Sequence, residues 1–88
     1  MYMYRVLTER VNPATITGLA AKFLGDCTIL EGIGLFNNEG ELSTIIEYST
    51  GTSQDELIRS LAHEIRTANS QDAVLIQKFD ISQFVITG

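Results

Sequence analysis

The chain has 88 residues, 44% of them apolar, and a formal net charge of −5. That length supports one core and one domain, residues 1–88, because two cores would each bury too little surface to offset chain entropy. The acidic residues are dispersed, which argues against a nucleic-acid binder built on a basic stripe, and no run has the length or apolarity of a membrane span or a secretory signal.

The single cysteine, Cys27, has no partner within the chain and fits a reducing, cytoplasmic setting. Met3–Val11 reads as the first strand. Met3, Leu7 and Val11 share a parity with Arg5 and Glu9, while Tyr2, Tyr4 and Val6 share the other with Thr8 and Arg10. Neither face is wholly polar, as in a strand partly covered on both sides. Asn12-Pro13 then opens a helix: Asn can cap, and Pro at the first position gives up no needed N–H. Ile16, Leu19, Ala20, Phe23 and Leu24 recur at helical spacing, and Gly25 is placed to end the helix in a left-handed conformation. Gly18, which costs about 1 kcal/mol against Ala in a helix interior, is expected to let the helix approach the sheet.

Asp26–Phe36 is the second strand and Leu42–Thr50 the third. Together they make a candidate hairpin, Thr28–Thr50, around the turn Asn37-Asn38-Glu39-Gly40, with Gly40 expected to supply positive φ. Ile29, Ile33 and Leu35 share a face of the second strand with Glu31. Thr28, Leu30, Gly32, Gly34 and Phe36 share the other. On the third strand Leu42, Ile46 and Tyr48 alternate with Ser43, Ile45, Glu47 and Ser49. The second helix starts at Thr52/Ser53, with Ser53 and Glu56 at capping-box spacing. Leu57, Ile58, Leu61, Ala62 and Ile65 form its apolar stripe, and Asn69 is expected to end it with positive φ. Ala73–Phe79 is the fourth strand. The β-rich tail Ile81–Thr87 carries Phe84, Val85 and Ile86 and is expected to pair with a sheet edge of this chain or of a neighbouring copy.

The order β-α-β-β-α-β predicts an α+β two-layer sandwich of the ferredoxin-like kind: an antiparallel four-stranded sheet, two helices on one face, and a tail strand. One sheet face is then left bare and still carries apolar residues, so self-association into a homo-oligomer is expected.

Three short motifs bear a resemblance: Gly32-Ile33-Gly34 with Phe36, Glu41-Leu42-Ser43, and Gln71-Asp72-Ala73-Val74-Leu75. In these the chain resembles a loose set of small phage and bacterial ferredoxin-like proteins without assigned chemistry. The resemblance implies the same fold. By analogy with compact phage proteins that sequester host nucleotide signals, it also implies a phage-encoded protein of the host cytoplasm that counters host defence.

Candidate site residues follow from chemistry and parity. Gly32 and Gly34 are either a strand bend or a backbone floor under a ligand ring or phosphate; no third glycine completes a dinucleotide fingerprint. Asn37 and Asn38 are turn residues whose amides could also grip a polar ligand. Glu41 and Ser43 share a parity, either as an exposed polar edge or to read a ribose or base edge. Arg5, Arg10 and Lys78 either converge as an anion pocket or pair with Glu9, Glu31 and Glu47. Phe36 and Tyr48 could stack on a ring. His63 lacks a second histidine for a metal site, and Cys27 reads as an inert thiol.

The expectation drawn from these is a non-enzymatic, homo-oligomeric binding protein without cofactor or metal. It would hold a small anionic ligand, a cyclic nucleotide for example, at subunit boundaries. The alternatives are an acidic protein-interaction module that inhibits a host macromolecule, and a small dimeric ferredoxin-like enzyme, which the lack of a His/Cys/carboxylate constellation disfavours.

Overall fold

Alternating side chains on the first strand set the layers of the molecule. A computed structural model describes the backbone of residues 1–88 and every side chain except that of Phe36. The elements are β1 (Tyr2–Glu9), α1 (Pro13–Leu24), β2 (Thr28–Phe36), β3 (Glu39–Thr50), α2 (Asp55–Ala68) and β4 (Leu75–Asp80). All strand pairings are antiparallel, in the order β2-β3-β1-β4. This is the expected α+β, ferredoxin-like arrangement. Among the described residues no helix is long and apolar enough to cross a membrane.

Tyr4, Val6 and Thr8 of β1 point to the helices and are buried. Val6 lies beside Ile46 of β3 and Ile76 of β4 in the pairing register. Ile16 and Ala20 of α1, with Ile58, Leu61, Ala62 and Ile65 of α2, close over this row to make the core. Each fully buried Val, Leu or Ile side chain there contributes roughly 1.5–3 kcal/mol of transfer free energy. The other face of the sheet has no helix on it. Across it Leu30, Ile45, Leu7 and Leu75 lie in one register row over all four strands, and Met3 and Phe79 pair on the same face beyond the polar row of Thr28, Glu47, Arg5 and Gln77. The bare apolar face read from strand parity is present.

Several local expectations are corrected. The hairpin loop is two residues, Asn37-Asn38, with φ of 49° and 65°, and Phe36 pairs with Glu39 directly after it. Asparagines adopt the left-handed conformation that a tight hairpin needs at both loop positions, so Gly40 is free to sit within β3 and adopts no positive φ. Asn12 precedes α1 at φ 52° and does not cap with its side chain; its carbonyl instead accepts from the N–H groups of Thr15 and Ile16 at 2.9 and 3.1 Å. Ser70, not Asn69, takes positive φ after α2. Gly18 is exposed and faces open space, so it brings α1 no closer to anything. The fourth strand begins at Leu75 rather than Ala73. The tail makes no fifth strand in its own chain: Ile81 N–H donates to Met1 O at 3.0 Å, and the residues after it have no strand structure.

The start of α2 is tied to the sheet by a polar cluster rather than by a capping box. Tyr4 Oη donates to Asp55 Oδ1 at 2.5 Å and accepts from Gln54 N at 2.9 Å. Lys78 Nζ lies 2.9 Å from Asp55 Oδ1 and donates to Ser53 Oγ at 3.1 Å. Ser53, expected to cap together with Glu56, gives its hydroxyl to Asp55 at 3.1 Å. The Tyr4 hydrogen bond, then that of Lys78, holds the Asp55 carboxyl down to about 2, while the Asp55 contact raises Lys78.

Two outcomes follow. Gly18→Ala is expected to raise stability by about 0.5–1 kcal/mol in chemical denaturation, because the added methyl meets nothing and the helix gains propensity. Asp55 binds its proton more weakly folded than unfolded, so its stabilising contribution is complete above the ordinary value of 3.8 and fades as pH falls toward about 2. Carboxyl NMR titration of Tyr4→Phe should show Asp55 moving back up toward its ordinary value.

Candidate functional site

The β2–β3 hairpin is longer than β1. Glu9, the last residue of β1, pairs with Ser43, so residues 33–42 reach past the end of β1. On the other side, the α2–β4 loop is drawn to the same end. Thr8 Oγ1 donates to Gln71 Oε1, a buried pair that Asn69 Nδ2 joins at 3.3 Å. Between the hairpin and this loop lies a cavity of about 450 Å³. Leu7, Leu75, Leu42 and Leu35 give it apolar walls, and Gly34 leaves one side bare of any side chain. Its polar groups are Thr8, Glu9, Glu41, Ser43 and Gln71.

The electrostatics of this cavity are set by two carboxyls. The negative charge of Glu41 is the main reason the Glu9 pKa is raised, with desolvation, a hydrogen bond from the same neighbour and the charge of Asp72 adding to it. The nearby like charge makes Glu9 hold its proton to a higher pH than an isolated carboxyl does.

The residues singled out from the sequence divide between this cavity and the rest of the molecule. Gly34, Glu41 and Ser43 line it together. Gly32 sits on the same edge strand opposite Ser43 but outside the cavity lining. Asn37 and Asn38 are exposed at the hairpin tip. Tyr48 packs against the core on the helix side, paired with Tyr4. The side chain of Phe36 lies outside the described residues.

The basic residues do not converge. Arg5 Nε is 2.6 Å from Glu47 Oε2 in the middle of the bare face, with Phe79 under its guanidinium at 5.6 Å. Arg10 Nη2 is 3.0 Å from Glu31. Lys78 is on the helix face with Asp55. An anion pocket from these three is thereby excluded: strand alternation sends Arg5 and Lys78 to opposite faces, and each cation has a carboxylate of its own. The ion-pairing alternative holds for Arg5 with Glu47 and Arg10 with Glu31. Cys27 is half-buried, and burial followed by the Asp26 charge pushes its thiol pKa up, away from reactivity. His63 is exposed on α2.

Thr8 entered the sequence reading only as a strand residue, Gln71 only within a motif, and Glu9 as a strand residue and a candidate ion-pair partner for the basic residues, which it does not become. The signal that points to Glu9 is register. With β1 antiparallel to β3, Glu41 is the diagonal neighbour of the residue facing Ser43, within reach of a long side chain. Glu41→Gln is expected to stabilise the fold at neutral pH and to do little near pH 3. Glu9 binds its proton more tightly folded than unfolded, so the repulsion is absent below its ordinary value of 4.5 and grows as pH rises through the higher folded value. Denaturation midpoints at the two pH values check the sign.

No family model matches the chain, and no curated protein matches it. Among solved structures it is similar to one described as "De novo designed protein Foldit4", with a TM-score of 0.54 and 13% identity over 92% of this chain and 96% of that one. At that identity the likeness concerns the fold alone, and it agrees with the strand order and helix placement described above.

Proposed function

We propose that this chain is a non-enzymatic binding protein whose ligand occupies the cavity at the end of β1. The observation that carries this reading is the pairing of Glu9 and Glu41 at the mouth of an apolar-walled space. An apolar body fits against Leu7, Leu42 and Leu75, and a cationic or hydrogen-bond-donating group answers the two carboxyls. The anionic, nucleotide-type ligand expected from the sequence needed the charges of Arg5 and Arg10 beside the glycine strand, and these are already answered by Glu47 and by Glu31 of that strand. The sign of the ligand is therefore reversed in this reading. Thr8 gives its hydroxyl to Gln71, His63 is on the exposed face of α2, and the Glu9–Glu41 pair is assigned to holding the ligand rather than to acid–base work.

Amide NMR titration with phenethylamine, phenylacetate and a cyclic dinucleotide tests the reading. The amine should shift Gly34, Glu41 and Ser43 together, and Glu41→Gln should weaken its binding about tenfold, the loss of one charge-assisted contact. Tighter binding of phenylacetate or the dinucleotide than of the amine overturns it.

A further inference from the structure

The sheet has one guarded edge and one open edge. β4 carries Lys78 and ends at Asp80, and charged side chains on an edge discourage further pairing. The outer half of β2 carries none: Ile33, Gly34, Leu35 and Phe36 are all uncharged. Ile33 and Leu35 stand 71% and 75% exposed on the same side of that edge. This is an edge strand with backbone groups unpaired on one side and apolar side chains standing beside them.

A matching strand exists in the same chain without a place to go. In the tail, Phe84, Val85 and Ile86 are 87%, 81% and 86% exposed. The run from Ile81 to Thr87 has no ionisable side chain. In a protein of net charge −5, an uncharged tail and an uncharged edge are where two copies meet with the least repulsion.

The tail cannot reach this edge in its own chain. It leaves the sheet beside β1's first residues, since Asp80 pairs with Tyr2, which pairs with Thr50. Gly34 pairs with Glu41, at the far end of β3 and on the opposite sheet edge. At roughly 3.3 Å per residue along the strands and 4.8 Å between them, the diagonal is about 33 Å. Ile86, six residues after Asp80, can lie at most about 22 Å from it when the chain is fully extended.

We propose that the tail of one copy adds as a fifth strand to the β2 edge of a second copy, beside Ile33 and Leu35. The backbone of the tail takes up the unpaired groups of β2, and its alternate side chains cover Ile33 and Leu35 on one side and lie over Gly34 on the other. The occupant is a second copy of this chain. The added strand would border the ligand cavity at Gly34 and Leu35, but the proposal rests on the open edge and the exposed tail and does not need the ligand reading.

Light scattering at micromolar concentration should give a mass of at least twice 9.7 kDa. A chain ending at Asp80, and separately Ile33→Lys, should each weaken association at least tenfold while keeping the circular dichroism of the fold. Mixing a Val85→Cys chain with an Ile33→Cys chain, both carrying Cys27→Ser, should give a disulfide-linked dimer of the two different chains under mild oxidation. A single-chain mass for the unaltered protein, or an oligomer that survives loss of the tail, overturns the proposal. So does an oligomer in which the mixed disulfide does not form.

Discussion

β1 pairs with β3 on one side and β4 on the other, and its alternating side chains divide the molecule into a covered half and a bare half. Tyr4, Val6 and Thr8 go to the helices. Met3, Arg5 and Leu7 go to the open face. Every other feature inherits this division. The helices bury the even-numbered row, the Arg5–Glu47 pair sits among apolar neighbours on the odd-numbered row, and the cavity forms where β1 stops and the β2–β3 hairpin continues.

Tyr4 and Thr8 show how a strand can fix the loops beyond it. Both lie on the buried face, and both carry a hydroxyl that must find a partner there. Tyr4 finds Asp55 and the Gln54 N–H, which sets the start of α2. Thr8 finds Gln71, which draws in the loop after α2. The two ends of one helix are thus referenced to two residues of a single strand four positions apart. The cavity wall at Gln71 and Ala73 depends on the second of these contacts, so the shape of the candidate site is set from the core side.

Acidity is distributed by the same logic. Glu47 and Glu31 are absorbed by Arg5 and Arg10, and Asp55 by Tyr4 and Lys78. Glu9 and Glu41 are left facing one another, with Asp72 adding to the field. One acidic pair of this mildly acidic chain therefore stands beside apolar walls. The expected convergence of cations failed because parity along β1 and β4 separates Arg5 from Lys78. That separation was already implied by the strand order, once the register between β1 and β4 is known.

The element order, the bare apolar face and the helix stripes were legible from the residues alone, because period-2 and period-3.6 patterns are imposed by backbone geometry and survive any packing. Gly34, Glu41 and Ser43 could likewise be placed together by parity on two adjacent strands. The place of the hairpin turn at Asn37-Asn38 was legible, but its two-residue length and the helix caps were not. Ser53 has the right side chain for an end it does not cap, since Tyr4 and Lys78 arrive from far along the chain and draw it into their cluster with Asp55, while Asn12 and Asn69 serve their helix ends through the backbone. Sequence by itself determined which residues lie on which face of each element. Only the tertiary structure decided how far the hairpin overshoots β1, and hence that Glu9 meets Glu41 beside a cavity, because register depends on where distant side chains find room and partners.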